Sequence, residues 1–376
     1  MLIQHLEVNG FQDRKQSIQF SFESDINIIT GYNGAGKTNI LKLIWYTISG
    51  NIYALLEEIK FTSLQLKTDL YNVHIQKIRN DTCKAVLTDR SGTQTEFEDV
   101  TDEDDDFTDA RDTLSAHLQA IGSSIFFPTF RRIEGGFTIG GVSRSPNPSL
   151  FNAPRVKGDL PEAVAAISRK LTNLNHTFVT SISTIDIAEL LLRHFNEMSE
   201  EANTLQTKMS QDVINKIRDF RRDTKNEEQF RIGEEAVETL ESIRTLIERV
   251  DVQRERIMAP MLAVQTLGAK IFKHKGIQIN RRVGFGDTVN AISSDLLSAG
   301  EKQMLSFICY NAFTDHAPIF IDEPELSLHV DWQRTLFPTL QSQKKENQFI
   351  IATHSPFIYG KFPEKEIALV DDRGEG

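Results

Sequence analysis

Eight residues, Gly31-Tyr32-Asn33-Gly34-Ala35-Gly36-Lys37-Thr38, have the spacing G-x-x-x-x-G-K-[ST]. They lie between an apolar strand pattern (Ile26, Ile28, Ile29) and a segment with helical spacing that opens at Asn39. The glycines let backbone N–H groups of Asn33, Gly34, Ala35 and Gly36 converge on phosphate oxygens. The helix N-terminus at Asn39 adds the positive end of a dipole. Lys37 is then placed to reach the β- and γ-phosphates of a nucleotide, and Thr38 to bind Mg2+. A second pattern, Pro318-Ile319-Phe320-Ile321-Asp322-Glu323-Pro324, is an apolar strand ending in two acids. Asp322 suits a Mg2+ contact and Glu323 suits polarising an attacking water. His354 follows another apolar run in Ala352-Thr353-His354-Ser355-Pro356. It reads as a γ-phosphate or water sensor, although a histidine at a strand end is commonly structural. Ser298, Gly300 and Glu301 precede a helix expected over residues 304–313. Ser298 and Glu301 fit a capping box, and they also fit a second anion site built on the serine hydroxyl.

These residues need a sheet to hold them. Ile319 to Ile321 and Phe349 to Ala352 are short, wholly apolar runs, as in a buried parallel sheet. Ile3, Leu6 and Val8, then Ile18, Phe20 and Phe22, alternate as strands, with further strands expected over residues 72–78, 84–88 and 367–370. Ile40, Leu41, Ile44, Trp45 and Ile48 have helical spacing. The acidic run over residues 96–109 predicts a solvated loop. Residues 135–154, rich in Gly, Ser, Asn and Pro, predict another. From residue 161 to 273 strand signals largely stop and helical periodicity takes over (Ile187, Leu190, Leu191 and Phe195; Leu240, Ile243 and Ile247). Helices of about 35 residues, roughly 50 Å long, are expected there, one of them ending at Pro260. No sustained heptad predicts a long coiled coil. Three parts follow: an N-terminal lobe with the phosphate loop over residues 1–160, an inserted helical arm over 161–273, and a C-terminal lobe over 274–376.

Composition narrows the classes. The chain has 376 residues with 42 Lys and Arg against 53 Asp and Glu, a net charge of −11. A broad basic nucleic-acid surface is therefore excluded, and any DNA or RNA contact has to be local. Arg218, Arg221, Arg222, Lys273, Lys275, Arg281 and Arg282 are candidate basic spots or ordinary solvated faces. Two cysteines, Cys83 and Cys309, exclude a disulfide scaffold and a cysteine-based zinc site. No apolar run of about 18 residues predicts a membrane span, and the N-terminus lacks a signal-peptide layout. A cytoplasmic chain without membrane contact is expected.

The order of phosphate loop, Leu297-Ser298-Ala299-Gly300-Glu301, Asp322-Glu323, Glu325-Leu326-Ser327-Leu328-His329 and Thr353-His354-Ser355-Pro356 resembles ABC-type ATPase heads. Within them it resembles the branch of RecF, the structural-maintenance-of-chromosomes proteins and the overcoming-lysogenization-defect nucleases. It is most similar there to ATPase subunits of bacterial anti-phage systems such as the PtuA and AriA families. Phe127-Pro128-Thr129-Phe130-Arg131-Arg132-Ile133-Glu134 is similar to a segment of that subgroup. The resemblance implies an α/β fold, a mixed sheet with a phosphate-loop lobe and a signature lobe. It implies a homodimer of heads closed by ATP, with Ser298 and Gly300 acting on the partner's nucleotide and Ser327 and Leu328 near the seam. Larger even-numbered assemblies, and a separate effector such as a nuclease, are implied as partners. The glutamine that senses γ-phosphate and Mg2+ in such heads has Gln76 as its candidate here. Arg14, with Lys15, is the candidate contact to adenine or phosphate. Only residues 371–376 follow the last expected strand, so the nuclease domain of the overcoming-lysogenization-defect proteins is not expected in this sequence. The expected activity is ATP hydrolysis in the service of that effector, with a DNA-clamping repair or chromosome-maintenance ATPase as the alternative.

Overall fold

A computed structural model describes residues 1–101, 107–129, 132–133, 166–182, 184–223, 229–271 and 297–369. The chain divides into two compact units, one of residues 1–184, 295–307 and 314–376, the other of residues 185–294 and 308–313. Among residues singled out in the sequence, Arg131, Glu134, Lys273, Lys275, Arg281 and Arg282 lie outside the described residues, as do residues 102–106, 135–154 and 371–376.

The first unit holds two six-stranded sheets. The antiparallel one runs β2-β1-β4-β5-β6-β7, made of β1 (Ile3–Asn9), β2 (Ile18–Ser21), β4 (Ser63–Thr68), β5 (Tyr71–Lys77), β6 (Cys83–Asp89) and β7 (Gln94–Phe97). Buried and exposed positions alternate along β4, β5 and β6, as in a sheet with one face in the core. The parallel sheet runs β12-β10-β14-β15-β3-β16. Its strands are β3 (Ile26–Thr30), β10 (Ser124–Phe127), β12 (His176–Phe178), β14 (Pro318–Asp322), β15 (Gln348–Ala352) and β16 (Glu366–Ala368). Every residue of β3, β10, β14 and β15 is buried, so these segments are mostly apolar rather than alternating, with Asn27, Thr30, Ser124, Asp322 and Gln348 as buried polar members. Two short pairs, β8 (Val100–Thr101) with β9 (Phe107–Thr108) and β11 (Arg132–Ile133) with β13 (Ser181–Ile182), complete the strands among the described residues.

Helix α1 (Lys37–Ile48) follows β3, and α2 (Ile52–Glu58) and α3 (Ala110–Gln119) pack beside it. Ile40, Leu41, Leu43, Ile44 and Trp45 of α1 are fully buried. Each such side chain contributes about 1.5–3 kcal/mol by leaving water. The Trp45 ring packs on Phe126 at 5.4 Å and Phe178 at 5.2 Å, and Phe126 and Phe178 stack at 5.3 Å with 8° between planes. This aromatic block ties α1, which opens at the phosphate loop, to β10 and β12.

The second unit contains α4 (Thr184–Asp223, 40 residues) and α5 (Gln229–Ile271, 43 residues). At 1.5 Å per residue these are about 60 Å and 65 Å long, longer than expected. Helix α5 does not stop at Pro260. Met261 and Val264 beyond it are buried, so packing carries the helix through the one backbone bond the proline removes. Helices α6 (Ala299–Phe313), α7 (Val330–Gln341) and α8 (Pro356–Tyr359) follow in the chain.

Two further expectations are corrected. The acidic stretch expected to be a loop contains the end of β7, where buried Phe97 meets the His117 ring edge-on at 5.1 Å, and the short pair of β8 and β9. The stretch assigned to the arm from residue 161 still contains β12, a three-residue strand in register with β10 (Ser124↔His176, Phe126↔Phe178). Three residues are too few for periodicity to reveal. Otherwise the α/β class is as expected.

Candidate functional site

Parallel strands place their C-terminal ends side by side, and ligands of open α/β sheets bind there. Here the ends of β10, β14, β15 and β3 carry Thr129, Asp322, His354 and the phosphate loop. A cavity of about 690 Å³ opens at this edge, lined among others by Asn33, Gly34, Gly36, Lys37, Thr38, Asn39, Asp322, Glu323 and His354. It lies within the range of small-molecule sites.

The loop is shaped by its glycines. Gly34 has φ +85° and Gly36 has φ +99°, left-handed conformations that side chains rarely adopt. A Cβ on Gly36 would lie 2.6 Å from Gln12 Oε1, so Gln12 would have to move aside for any larger residue there. A Cβ on Gly34 would meet nothing within 4 Å, leaving an open concavity in front of the backbone. Gly36 is the N-cap of α1 and supplies no side-chain cap, so the first N–H groups of that helix are not capped by it. An anion fits this arrangement.

Lys37 is buried, and its Nζ donates to Gly31 O at 3.0 Å and Tyr32 O at 3.3 Å and lies 2.5 Å from His354 Nε2. Burial lowers the Lys37 pKa from its usual value, opposed by the charges of Glu323, Asp322 and Glu325. Burial and the Lys37 charge both lower that of His354. A neutral His354 can accept the Lys37 hydrogen bond. Asp322 is fully buried, and its Oδ2 accepts hydrogen bonds from Thr38 Oγ1 at 2.8 Å and from Thr129 Oγ1. A threonine hydroxyl and one carboxylate are hard oxygen donors, the set that Mg2+ takes together with phosphate oxygens and water. The residues therefore fit Mg2+ with a nucleotide phosphate, Thr38 and Asp322 being the groups to hold the metal.

Glu323 has φ +48°, a strained value for a side-chain-bearing residue, and its N–H donates to Ala352 O at 2.9 Å. Its carboxylate lies 3.4 Å from His354 Nε2. Burial first, then a hydrogen bond and charge from Glu325, push its pKa up to about 8. Glu325 in turn accepts from Thr353 Oγ1 and from the His354 N–H, both at 2.8 Å. The turn after β14 is thus clasped to the turn after β15.

The structure brings together Asn33, Gly34, Gly36, Lys37, Thr38, Asn39, Asp322, Glu323 and His354. Ala35 is buried within the loop, and its carbonyl accepts from Arg14 Nη2 at 2.7 Å. Arg14 also reaches Leu369 O at 3.4 Å, so it braces the loop rather than lining the cavity. Gln76 does not join the site. It sits in β5 between Ser63 of β4 and Lys84 of β6, exposed on the antiparallel sheet. Ser298, Gly300 and Glu301 do not line the cavity of their own chain. Ser298 and Glu301 form a complete capping box on α6, which begins at Ala299, earlier than expected. A Cβ on Gly300 would lie 2.4 Å from Ser327 O, and Gln303 Nε2 donates to Pro324 O at 2.9 Å, so α6 rests on the turn after β14. Gln12, Lys42, Pro128 and Thr129 line the cavity without having been singled out for it.

Residues 94–359 match a family model described as "AAA domain, putative AbiEii toxin, Type IV TA system". The chain belongs to this AAA-domain family. The match covers Asp322, Glu323, Ser298 and His354, and begins after the phosphate loop. Two relatives are the "Retron Vc95 probable ATPase" of Vibrio cholerae serotype O1 biovar El Tor, 27% identical over 89 residues, and the "Retron Ec83 probable ATPase" of Escherichia coli, 32% identical over 87 residues. Each alignment covers 20% of this AAA-domain chain but only 17% and 16% of those relatives. Among solved structures, the Smc head domain with an extended coiled coil bound to the C-terminal domain of ScpA, from Pyrococcus furiosus, aligns with a TM-score of 0.37 and 12% identity, over 96% of this chain and 91% of that one. The SmcHead bound to the C-winged helix domain of ScpA aligns at 0.41 and 11%, over 96% and 92%. Among the described residues, no helix is long and apolar enough to cross a membrane.

Proposed function

We propose that this chain is an ATP-hydrolysing subunit that pairs head to head with a second copy and controls a separate effector in anti-phage defence. The convergence of Lys37, Thr38, Asp322, Glu323 and His354 on one cavity carries the reading. The similarity to probable ATPases of retrons and the family's association with toxin–antitoxin systems support the defence context. The PtuA- and AriA-like branch is the proposed subgroup.

Bound Mg2+-ATP would supply the electrophilic phosphorus. The phosphate-loop N–H groups and Lys37 would bind the phosphates, and Thr38 and Asp322 would hold the metal. Glu323 orients water and accepts its proton, while His354, hydrogen-bonded to Lys37, senses the γ-phosphate end. Burial and Glu325 raise the Glu323 pKa to about 8 in the chain alone, the direction that suits a group accepting the proton of water. Ser298 and the N-terminus of α6 are turned to the nucleotide of a second copy, which makes ATP the cement of the dimer. If millimolar ATP met a micromolar site present only in the closed pair, closure would gain about 4 kcal/mol. The helices of the second unit are the proposed contact for further copies or for the effector.

Native mass spectrometry of Glu323→Gln, co-expressed with its genomic neighbours and purified in ATP and Mg2+, tests this. The substitution keeps nucleotide and blocks hydrolysis. An even-numbered assembly carrying nucleotide and a second protein is expected. An assembly carrying DNA and no protein would replace this reading with a DNA clamp, and a nucleotide-free monomer would refute both.

A further inference from the structure

Asp322 Oδ2 receives two hydroxyl donors from different elements, Thr38 at the start of α1 and Thr129 just past β10. Strand β10 is the parallel neighbour of β14, with Phe127 in register with Ile321, so Thr129 reaches the acid across adjacent strand ends. Its place is fixed from behind. Phe126 lies in the aromatic block with Trp45, Phe178 and Phe320, and Phe127 meets Phe307 edge-on at 4.9 Å. Pro128 limits the backbone between strand and threonine. Thr129 lines the same cavity as Lys37 and Thr38.

A carboxylate binds a metal well when its orientation is set in advance by donors to its remaining lone pairs, and loss of such a donor typically weakens the metal ten- to a hundred-fold. We infer that Thr129 is a positioning residue for the divalent cation, aiming Asp322 through a hydroxyl from the strand beside it. The sequence offered Gln76 for the metal-sensing role, and Gln76 lies on the other sheet. The inference rests on the proposed nucleotide site and gives Thr129 a role that its place in the segment 127–134 does not by itself assign.

The test is a Mg2+ titration of fluorescent N-methylanthraniloyl-ATP binding to the full chain, run alongside EDTA controls and ligand-free melting curves. Thr129→Val keeps shape and removes the donor, while Thr129→Ser restores it. The expected result is a half-saturating Mg2+ concentration raised about ten- to a hundred-fold in Thr129→Val, near wild type in Thr129→Ser, with metal-free binding unchanged in both. A Thr129→Val titration that overlays wild type overturns the inference while leaving the nucleotide site standing. Equal losses with and without Mg2+ also overturn it, since the hydroxyl would then matter only to the shape of the cavity. Absence of Mg2+-dependent binding by the wild-type chain overturns the proposed function and this inference together.

Discussion

Acidification tests how β12 is held against the sheet. His176 is fully buried in that strand, and its Nδ1 lies 2.8 Å from Ser124 Oγ of β10. Burial lowers its pKa from 6.5 to about 4. Between those values the unfolded chain binds a proton at this histidine that the folded chain refuses. Stability therefore rises with pH across the window and is lost as pH falls through it. Each unit of pKa difference is worth about 1.36 kcal/mol, so going from pH 7 to pH 4.5 costs the folded state about 2.5 kcal/mol through this one group. The perturbation is His176→Asn, which keeps an amide where Nδ1 meets Ser124 and cannot take up the proton. Urea unfolding of both proteins at pH 7, 6, 5 and 4.5 cancels the other titrating groups. The expected difference in unfolding free energy moves toward the variant by about 2.5 kcal/mol over that range. A difference that stays flat with pH would mean that His176 is hydrated or protonated in the fold, and the burial argument would fail.

Gly300→Ala puts a Cβ 2.4 Å from Ser327 O, so α6 has to shift off the turn after β14. Expect a loss of about 1–3 kcal/mol in stability, with ATP-dependent pairing lost in sedimentation while nucleotide binding by the single chain persists. Phe178→Ala removes one of the rings packed on Trp45 and should cost about 3–5 kcal/mol in chemical unfolding. Glu323 has its pKa raised from 4.5 to about 8, so the folded chain holds a proton there that the unfolded chain releases, and wild-type stability falls as pH rises through that window. Nucleotide-free Glu323→Gln should therefore melt above wild type, by a margin that widens from pH 5 to pH 8. A constant margin would contradict the burial of that carboxyl.

The parts of the site written in consecutive residues were legible. The phosphate loop is local spacing, and Asp322-Glu323 is an apolar run stopped by acids. Thr129 and Gln12 were not, because their roles depend on which strands become neighbours. Thr129 matters only once β10 lies beside β14, and Gln12, with φ +49°, reaches the loop from a turn after β1. Gln76 illustrates the reverse error. Its polar type fitted the role, but the alternation of β5 puts it on the outward face while Val73 and Ile75 fill the core. Pro260 was read as a stop by a local rule that buried neighbours override. Strand β12 was hidden by its length, and its sheet partner lies 52 residues earlier at the Ser124–His176 contact.

The order β10-β14-β15-β3 has a consequence for synthesis. The phosphate-loop strand β3 takes its place beside β15, whose residues follow it by more than three hundred positions (Ile29↔Ala352). The clasp of Thr38 on Asp322 spans 284 residues and that of Lys37 with His354 spans 317. Contacts this distant close late, after the loop entropy between them is overcome. A chain emerging from the ribosome therefore exposes its phosphate loop long before the residues that act with it arrive. Under the proposed ATP-hydrolysing role, a chain lacking β15 would hold the phosphate loop without the turn that carries His354 and would be expected to be inactive.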